Sequence, residues 1–210
     1  MNPTFDIILV SFNRLEYTKD TVGSLIASGA YADCARFIVA DNNSTQEGTD
    51  AFLTDMAHVG KTFVLRRPRN DGWATAVNDA LGLSRAEYVL LINNDVSFMP
   101  DFHKEMLKPF ESANMPAGVI PVGLVGGWRH TAHGFDTIQT PVFRSMTDVP
   151  AVAWMLSKKA MEKVGMLEEH GPCSTKGGNG EDSNYTQRMK GAGFLVGVTP
   201  TDVCNHITGY

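Results

Sequence analysis

Five apolar residues, Tyr88-Val89-Leu90-Leu91-Ile92, run without interruption and stop at Asn93-Asn94-Asp95. A strand that is apolar on both faces is buried on both, as in a sheet covered by helices. Three comparable runs precede it: Ile7–Val10, Phe37–Ala40 and Thr62–Leu65. The first two also end in polar turns, Ser11-Phe12-Asn13-Arg14 and Asp41-Asn42-Asn43-Ser44. Between the runs, apolar residues fall at helical spacing: Leu15, Val22, Leu25 and Ile26, then Phe52, Leu53 and Met56, then an alanine-rich stretch from Gly72 to Leu83. This alternation predicts an α/β class fold, Rossmann-like, with a mainly parallel central sheet and helices on both faces. Right-handed crossovers would gather the strand-end polar motifs on one edge, where ligands bind in open sheets of this kind.

The second half is less regular. Helices are expected over Pro100–Phe110, Lys158–Val164 and Ser183–Lys190, and strands over Val119–Val125, Ala151–Leu156 and Leu195–Val198. Residues 126–150 show no period and are expected to form a binding loop. No linker, repeat or low-complexity tract divides the 210 residues, which predicts a single domain over 1–210, with a nucleotide-binding half (1–98) and an acceptor and catalytic half (99–210). The formal net charge of -5 argues against a general nucleic-acid coat or a polybasic membrane anchor, although Arg66-Arg67-Pro68-Arg69 could supply a local basic pocket. No apolar run reaches the ~20 residues that a membrane span needs. Cys34, Cys173 and Cys204 form no CxxC pair and read as reduced thiols of a cytoplasmic protein.

Several polar residues have two readings each. Asp95 either caps a turn after a buried strand or ligates a divalent metal. Glu181 and Asp182, after a glycine-rich stretch over 171–180, either decorate a helix N-terminus, where acids are favourable, or include a general base facing the metal. Asp41 either caps its own turn or binds a ligand. Asn70-Asp71-Gly72 opens a helix whose free N–H groups favour an anion or is an ordinary cap. Asn78 is a pocket-edge or a solvated residue, and His206 is a metal ligand or structural. Trp154 lies in an apolar run and is either core or a wall for a sugar or acceptor.

Taken in order, these motifs resemble the family-2 glycosyltransferases of the GT-A fold, over nearly the whole chain. The residues that carry the resemblance are Ser11-Phe12-Asn13-Arg14, Asp41-Asn42-Asn43-Ser44, Asn70-Asp71-Gly72 with Asn78, Asn93-Asn94-Asp95, Val164-Gly165-Met166-Leu167-Glu168-Glu169, Glu181-Asp182 with Arg188 and Ala192-Gly193-Phe194, and a terminal His206. The chain departs from the family at Asn93, where an acid is usual. The resemblance implies a metal-dependent, inverting transfer of a sugar from a nucleotide diphosphate (UDP-, dTDP- or GDP-linked) to a hydroxyl acceptor. It further implies Mn²⁺ or Mg²⁺ held by Asp95 and His206. Nucleotide contacts would come from Ser11, Asn13, Arg14, Asp41, Asn43, Asn70, Gly72, Asn78, Asn93 and Asn94. Asp182 would act as base with Glu181 beside it, and the loop over 171–180 would close on the donor. A non-catalytic sugar-nucleotide or carbohydrate-binding module is the alternative, favoured by Asn93. A nucleotidyltransferase lacks support because no Gly-x-Gly-Thr-Arg follows the first strand.

Overall fold

The structure, a computed structural model, describes residues 4–111, 122–127, 135–169 and 180–207. The expected loop over 171–180 falls almost wholly outside the described residues. The first half alternates as its hydrophobic pattern dictates: β1 (Phe5–Ser11), α1 (Leu15–Ala27), a short α2 (Ala30–Asp33), β2 (Arg36–Asp41), α3 (Thr49–Ala57), β3 (Thr62–Arg66), α4 (Trp73–Leu81) and β4 (Tyr88–Asn93). There follow β5 (Val96–Phe98), α5 (Phe102–Glu111), β6 (Val122–Gly126), β7 (Phe135–Gln139), β8 (Arg144–Met146), β9 (Ala153–Ser157), α6 (Lys158–Val164), α7 (Glu181–Gly191), β10 (Leu195–Val198) and β11 (Cys204–His206).

Nine strands form one sheet in the order β3-β2-β1-β4-β9-β6-β10-β8-β7. β3, β2, β1 and β4 are mutually parallel, β6 and β10 are parallel, and β9 opposes both β4 and β6. β8 opposes β10 and β7 opposes β8, so seven of the nine strands point one way. The mainly parallel sheet expected from the sequence is therefore present. Its strand order reverses between β1 and β4, the kind of switch point at whose carboxyl ends open α/β sheets hold ligands in a crevice.

Alternation along each strand sorts the core into two layers. Ile7, Leu9, Phe37, Val39, Leu90, Ile92 and Met155 pack against Val22 and Leu25 of α1, Leu53 of α3 and Phe102 of α5. Ile8, Val10, Ile38, Leu91, Trp154 and Val196 pack on the other face against α4, α6 and α7. Ile7, Ile8, Leu9 and Leu90 are each fully buried, a contribution of about 1.5–3 kcal/mol per side chain. The alanines of α4, Ala74, Ala76 and Ala80, let that helix approach the sheet closely.

One expectation is corrected, and one strand pair is added. The segment 126–150 is not a featureless loop, since it contains β7 and β8, which extend the sheet edge. β5 and β11, too short and polar to register as strands, pair antiparallel with His206 opposite Val96. Residues 128–134 lie outside the described set. Among the described residues, no helix is long and apolar enough to cross a membrane.

Candidate functional site

Three turns at the carboxyl edge interlock. Asn13 and Arg14, between β1 and α1, both hold left-handed backbone, with φ of 51° and 52°. Such conformations cost about 1–2 kcal/mol per non-glycine residue and persist where neighbours over-determine them. Here they do: the Asn13 N–H donates to Ser44 Oγ (2.7 Å), and Asn13 Oδ1 accepts from the Thr45 and Gln46 N–H groups (2.9 and 3.3 Å). From the third turn, Asn94 Nδ2 donates to the Asn13 carbonyl (3.2 Å) and to Thr18 Oγ1 (3.0 Å). Buried Ser11 shares a hydrogen bond with Thr18 Oγ1 (3.2 Å). Asn13, Asn94 and Ser11, all expected as nucleotide contacts, thus hold the turns to one another. Asn43 turns the β2 end with φ of 63° and keeps a half-buried side chain.

Asp41 is completely buried. Its carboxylate accepts from the Ser44 N–H (3.2 and 3.4 Å) and meets the Arg66 guanidinium at 3.5 Å. Arg66 also reaches Asp50 at 2.7 Å. Asp41 is thus closed off from solvent, with the Arg66 guanidinium among the groups packed on it. Arg66, Ser44 and Asp50 border an open recess of about 470 Å³.

The arginines of Arg66–Arg69, which could have supplied a local basic pocket, are paired with acids: Arg66 with Asp41 and Asp50, Arg67 with Asp79 (2.7 Å) and Asp71 (3.3 Å), and Arg69 with Asp71 (2.8 Å). The Arg69 guanidinium holds the Asp71 carboxyl below the usual range. Arg67 is buried and donates to Asn42 Oδ1 (2.6 Å). Asn42 in turn donates to Asn70 Oδ1 (2.7 Å) and to the Gly72 carbonyl (3.1 Å). This network, which the sequence reading did not find, fixes the entry to α4. Asn70 Oδ1 also accepts from the Gly72 N–H (3.1 Å), an Asx-type turn that leads into α4, whose N-cap, Gly72, carries no side-chain cap. Gly72 has φ of 103°, a conformation that excludes most side chains, while a Cβ there would meet nothing within 4 Å.

Two expected contacts prove to be packing elements. Asn78 donates to the Leu167 carbonyl (2.9 Å) and Glu169 (2.8 Å) and accepts from the Leu167 N–H (3.0 Å). Its amide ties α4 to the segment after α6, with both Nδ2 hydrogens engaged and the side chain buried. Replacing Asn78 with alanine is expected to destabilise the fold by about 2–3 kcal/mol, as three hydrogen bonds in a buried setting are lost. A lower urea midpoint with an unchanged m-value would report this. Trp154 is 0% exposed, stacked on Tyr185 (6.1 Å, 19°) and edge-on to Trp73 (6.2 Å, 83°). It is core, because its place on β9 faces the layer that α7 covers, and it forms no wall for a sugar.

Asp95, just past β4, is the point of convergence. His206 Nε2 lies 3.1 Å from Asp95 Oδ1, and Arg14 approaches Oδ2 at 3.3 Å. The β5–β11 pairing creates the first contact, and the Ile207 N–H donates to the Asp95 carbonyl at 2.7 Å. The Asp95 and His206 side chains are only 10% and 9% exposed. Asp182, in the first turn of α7, accepts from the Ala151 N–H (3.4 Å) and its neighbour Ser183 N–H (2.8 Å). Asp148 accepts from Thr186 Oγ1 (2.8 Å) and Ser183 Oγ, stitching the approach to β9 onto α7. Val152, the residue after Ala151, accepts the Asn93 N–H at 3.2 Å. Asp182 and the β4 end therefore share one edge of the sheet. Glu181 is half-buried in the same turn.

The profile of glycosyl transferase family 2 matches residues 6–165, about three quarters of the chain and all the turns just described except β11 and α7. The chain belongs to glycosyl transferase family 2. Its fold is similar to that of a mannosyltransferase, PcManGT from Pyrobaculum calidifontis, solved with GDP-Man and Mn2+ (TM-score 0.75, 16% identity, covering 100% of this chain and 58% of that one). It is also similar to GalNAc-T7, solved with UDP, GalNAc and Mn2+ (TM-score 0.75, 13% identity, 97% of this chain and 43% of that one). The family-2 chain thus has the expected GT-A fold and spans less than two thirds of either structure's length. Burial pushes the Cys34 thiol up to about 11 and raises that of Cys204 as well.

Proposed function

We propose that this family-2 domain transfers a sugar from a nucleotide-diphosphate donor to a hydroxyl acceptor, with inversion. The observation that carries the reading is the meeting of Asp95, His206 and Arg14 at the carboxyl edge, beside the crevice between β1 and β4. The two similar structures were solved with a nucleotide or nucleotide sugar and Mn2+, which supports the same ligand class here.

The donor set fits a divalent cation. One carboxylate and one imidazole nitrogen lie 3.1 Å apart, nearly shielded from solvent, and both are ligand types that Mn²⁺ accepts. Among the described residues no group of three His, Cys, Asp or Glu forms. That suits Mn²⁺ or Mg²⁺ in a transferase, which draws its other ligands from phosphate and water. Asp95 and His206 would hold the ion, which when bound offsets charge building on the diphosphate leaving group.

The remaining roles belong to the chain's own groups. The β1 and β2 turns shape the nucleoside side, with Arg66 leaving Asp41 so that the carboxylate can accept a base N–H. Arg14, 57% exposed on its side chain, can turn from Asp95 toward the diphosphate. Asp182 takes the proton from the acceptor hydroxyl as that oxygen attacks the anomeric carbon opposite the leaving phosphate. The anchoring of Asp182 to the Ala151 and Ser183 N–H groups fixes its direction. Glu181, one residue before it, is the acid placed to orient the acceptor.

Thermal shift against UDP-, dTDP- and GDP-sugars with and without Mn²⁺ tests the reading. A donor at about 100 times its Kd adds about 2.7 kcal/mol, a rise of roughly 5–10 °C for a domain of this size. The rise should require metal. No shift with any donor in the presence of Mn²⁺ would contradict the proposal.

A further inference from the structure

The position where the family usually has an acid is held here in an orientation that the chemistry makes unambiguous. Asn93 meets the Trp73 indole Nε1 at 3.1 Å. An indole N–H can only donate, so the Asn93 atom facing it is Oδ1. Nδ2 and its two hydrogens therefore project away from Trp73. The Asn93 N–H is also held, by the Val152 carbonyl at 3.2 Å, and the side chain remains partly exposed.

Trp73 is itself immobilised. It is the first residue of α4, its ring lies edge-on to Trp154, and Trp154 is fully buried against Tyr185 of α7. Asn93, which ends β4, and the two residues after it thus have distinct tasks. Asn94 is tied inward to the Asn13 carbonyl and Thr18. Asp95 presents carboxylate oxygens toward His206 and Arg14. Asn93, between Trp73 and the crevice, presents N–H donors.

Resting on the reading of this edge as a nucleotide-diphosphate site, we propose that Trp73 is a positioning residue. It locks the Asn93 amide with its donors outward, so that this position binds an acceptor oxygen of the nucleotide, from phosphate or ribose, and does not ligate the cation. A carboxylate at position 93 would still accept the Trp73 N–H, but its second oxygen would repel phosphate and attract metal. The Asn93 departure therefore changes the polarity of one contact without leaving a gap.

A double-mutant cycle, read by calorimetry on the whole chain at fixed Mn²⁺ with UDP, dTDP and GDP as probes, tests this. Trp73→Phe keeps an aromatic ring against Trp154 but loses the N–H together with part of the indole, so the Asn93 amide can flip; the Asn93→Ala background separates loss of the hydrogen bond from loss of ring volume. Binding of the preferred nucleotide should weaken about three- to tenfold, the range expected for one hydrogen bond. In an Asn93→Ala background the same change should matter by less than about twofold. Asn93→Asp should weaken nucleotide binding and tighten Mn²⁺ binding in the absence of nucleotide. Inorganic pyrophosphate as a further probe separates the two oxygen sources: sensitivity to Trp73→Phe there assigns the contact to phosphate, and sensitivity with nucleotide alone assigns it to ribose. The proposal is overturned if Trp73→Phe has no effect, if its effect is equal in both backgrounds, or if Asn93→Asp leaves Mn²⁺ affinity unchanged. If the unaltered chain binds none of the three nucleotides with Mn²⁺, the nucleotide site itself is refuted, and this proposal with it.

Discussion

Asp182→Asn is expected to lower kcat by about 10²–10⁴, the range for loss of a positioned proton acceptor, while donor affinity stays within about twofold. The substitution is nearly isosteric, and the amide oxygen can still accept from the Ser183 or Ala151 N–H, so α7 keeps its seat against the β9 approach. What disappears is the ability to take up a proton. Initial rates of sugar transfer, or of donor hydrolysis where the acceptor is unknown, together with donor binding, separate the two effects. Equal losses in binding and turnover would assign Asp182 to the architecture of the edge. Donor binding by a chain that turns over no donor, with Asp182 intact, would favour the non-catalytic binding module.

Asp95→Ala should have the other large effect. Asp95 is the one carboxylate of the Asn93-Asn94-Asp95 turn, and it lies between His206 Nε2 and the Arg14 guanidinium. Its removal takes away the anionic half of the donor pair and leaves Arg14 and His206 facing each other. With several kcal/mol of charge stabilisation at stake, kcat/KM is expected to fall by about 10²–10⁴. The Mn²⁺-dependent part of the thermal shift should vanish as well. The fold should also lose some stability, because His206, with its side chain 9% exposed, is left without its Asp95 partner. The contact with the 57% exposed Arg14 contributes only about 0–1 kcal/mol. Far-UV circular dichroism of the variant separates loss of metal from loss of fold. A variant that keeps its full metal-dependent shift would move the cation elsewhere.

The strands and helices of the first half were legible because each buried element carries its own period. Ile7–Val10, Phe37–Ala40 and Tyr88–Ile92 are continuous apolar runs, and the polar turns that end them fall on one edge once the crossovers are right-handed. The β5–β11 pair was not legible. Three-residue strands show no period, and pairing Val96 with His206 joins positions more than 100 residues apart. His206 was named through family resemblance, and the pairing supplies the physical reason that it meets Asp95. Trp154 misled because an aromatic in an apolar run reads alike as core or ligand wall. Only the α7 residues facing it, Tyr185 above all, decide the matter. Asn78 misled in the same way, since its partners lie about 90 residues downstream. Arg67 read as part of a basic pocket because the acids that neutralise it, Asp71 and Asp79, become neighbours only when β3 and α4 pack.

Pulsed electron–nuclear double resonance of Mn²⁺ bound to the chain with a nucleoside diphosphate tests the central claim most directly. The account predicts ³¹P couplings from the diphosphate and a ¹⁴N coupling from His206 on the same ion, with the nitrogen signal lost in His206→Ala and both lost in Asp95→Ala. A spectrum of hexaaqua Mn²⁺, or couplings unaltered by Asp95→Ala, would contradict it.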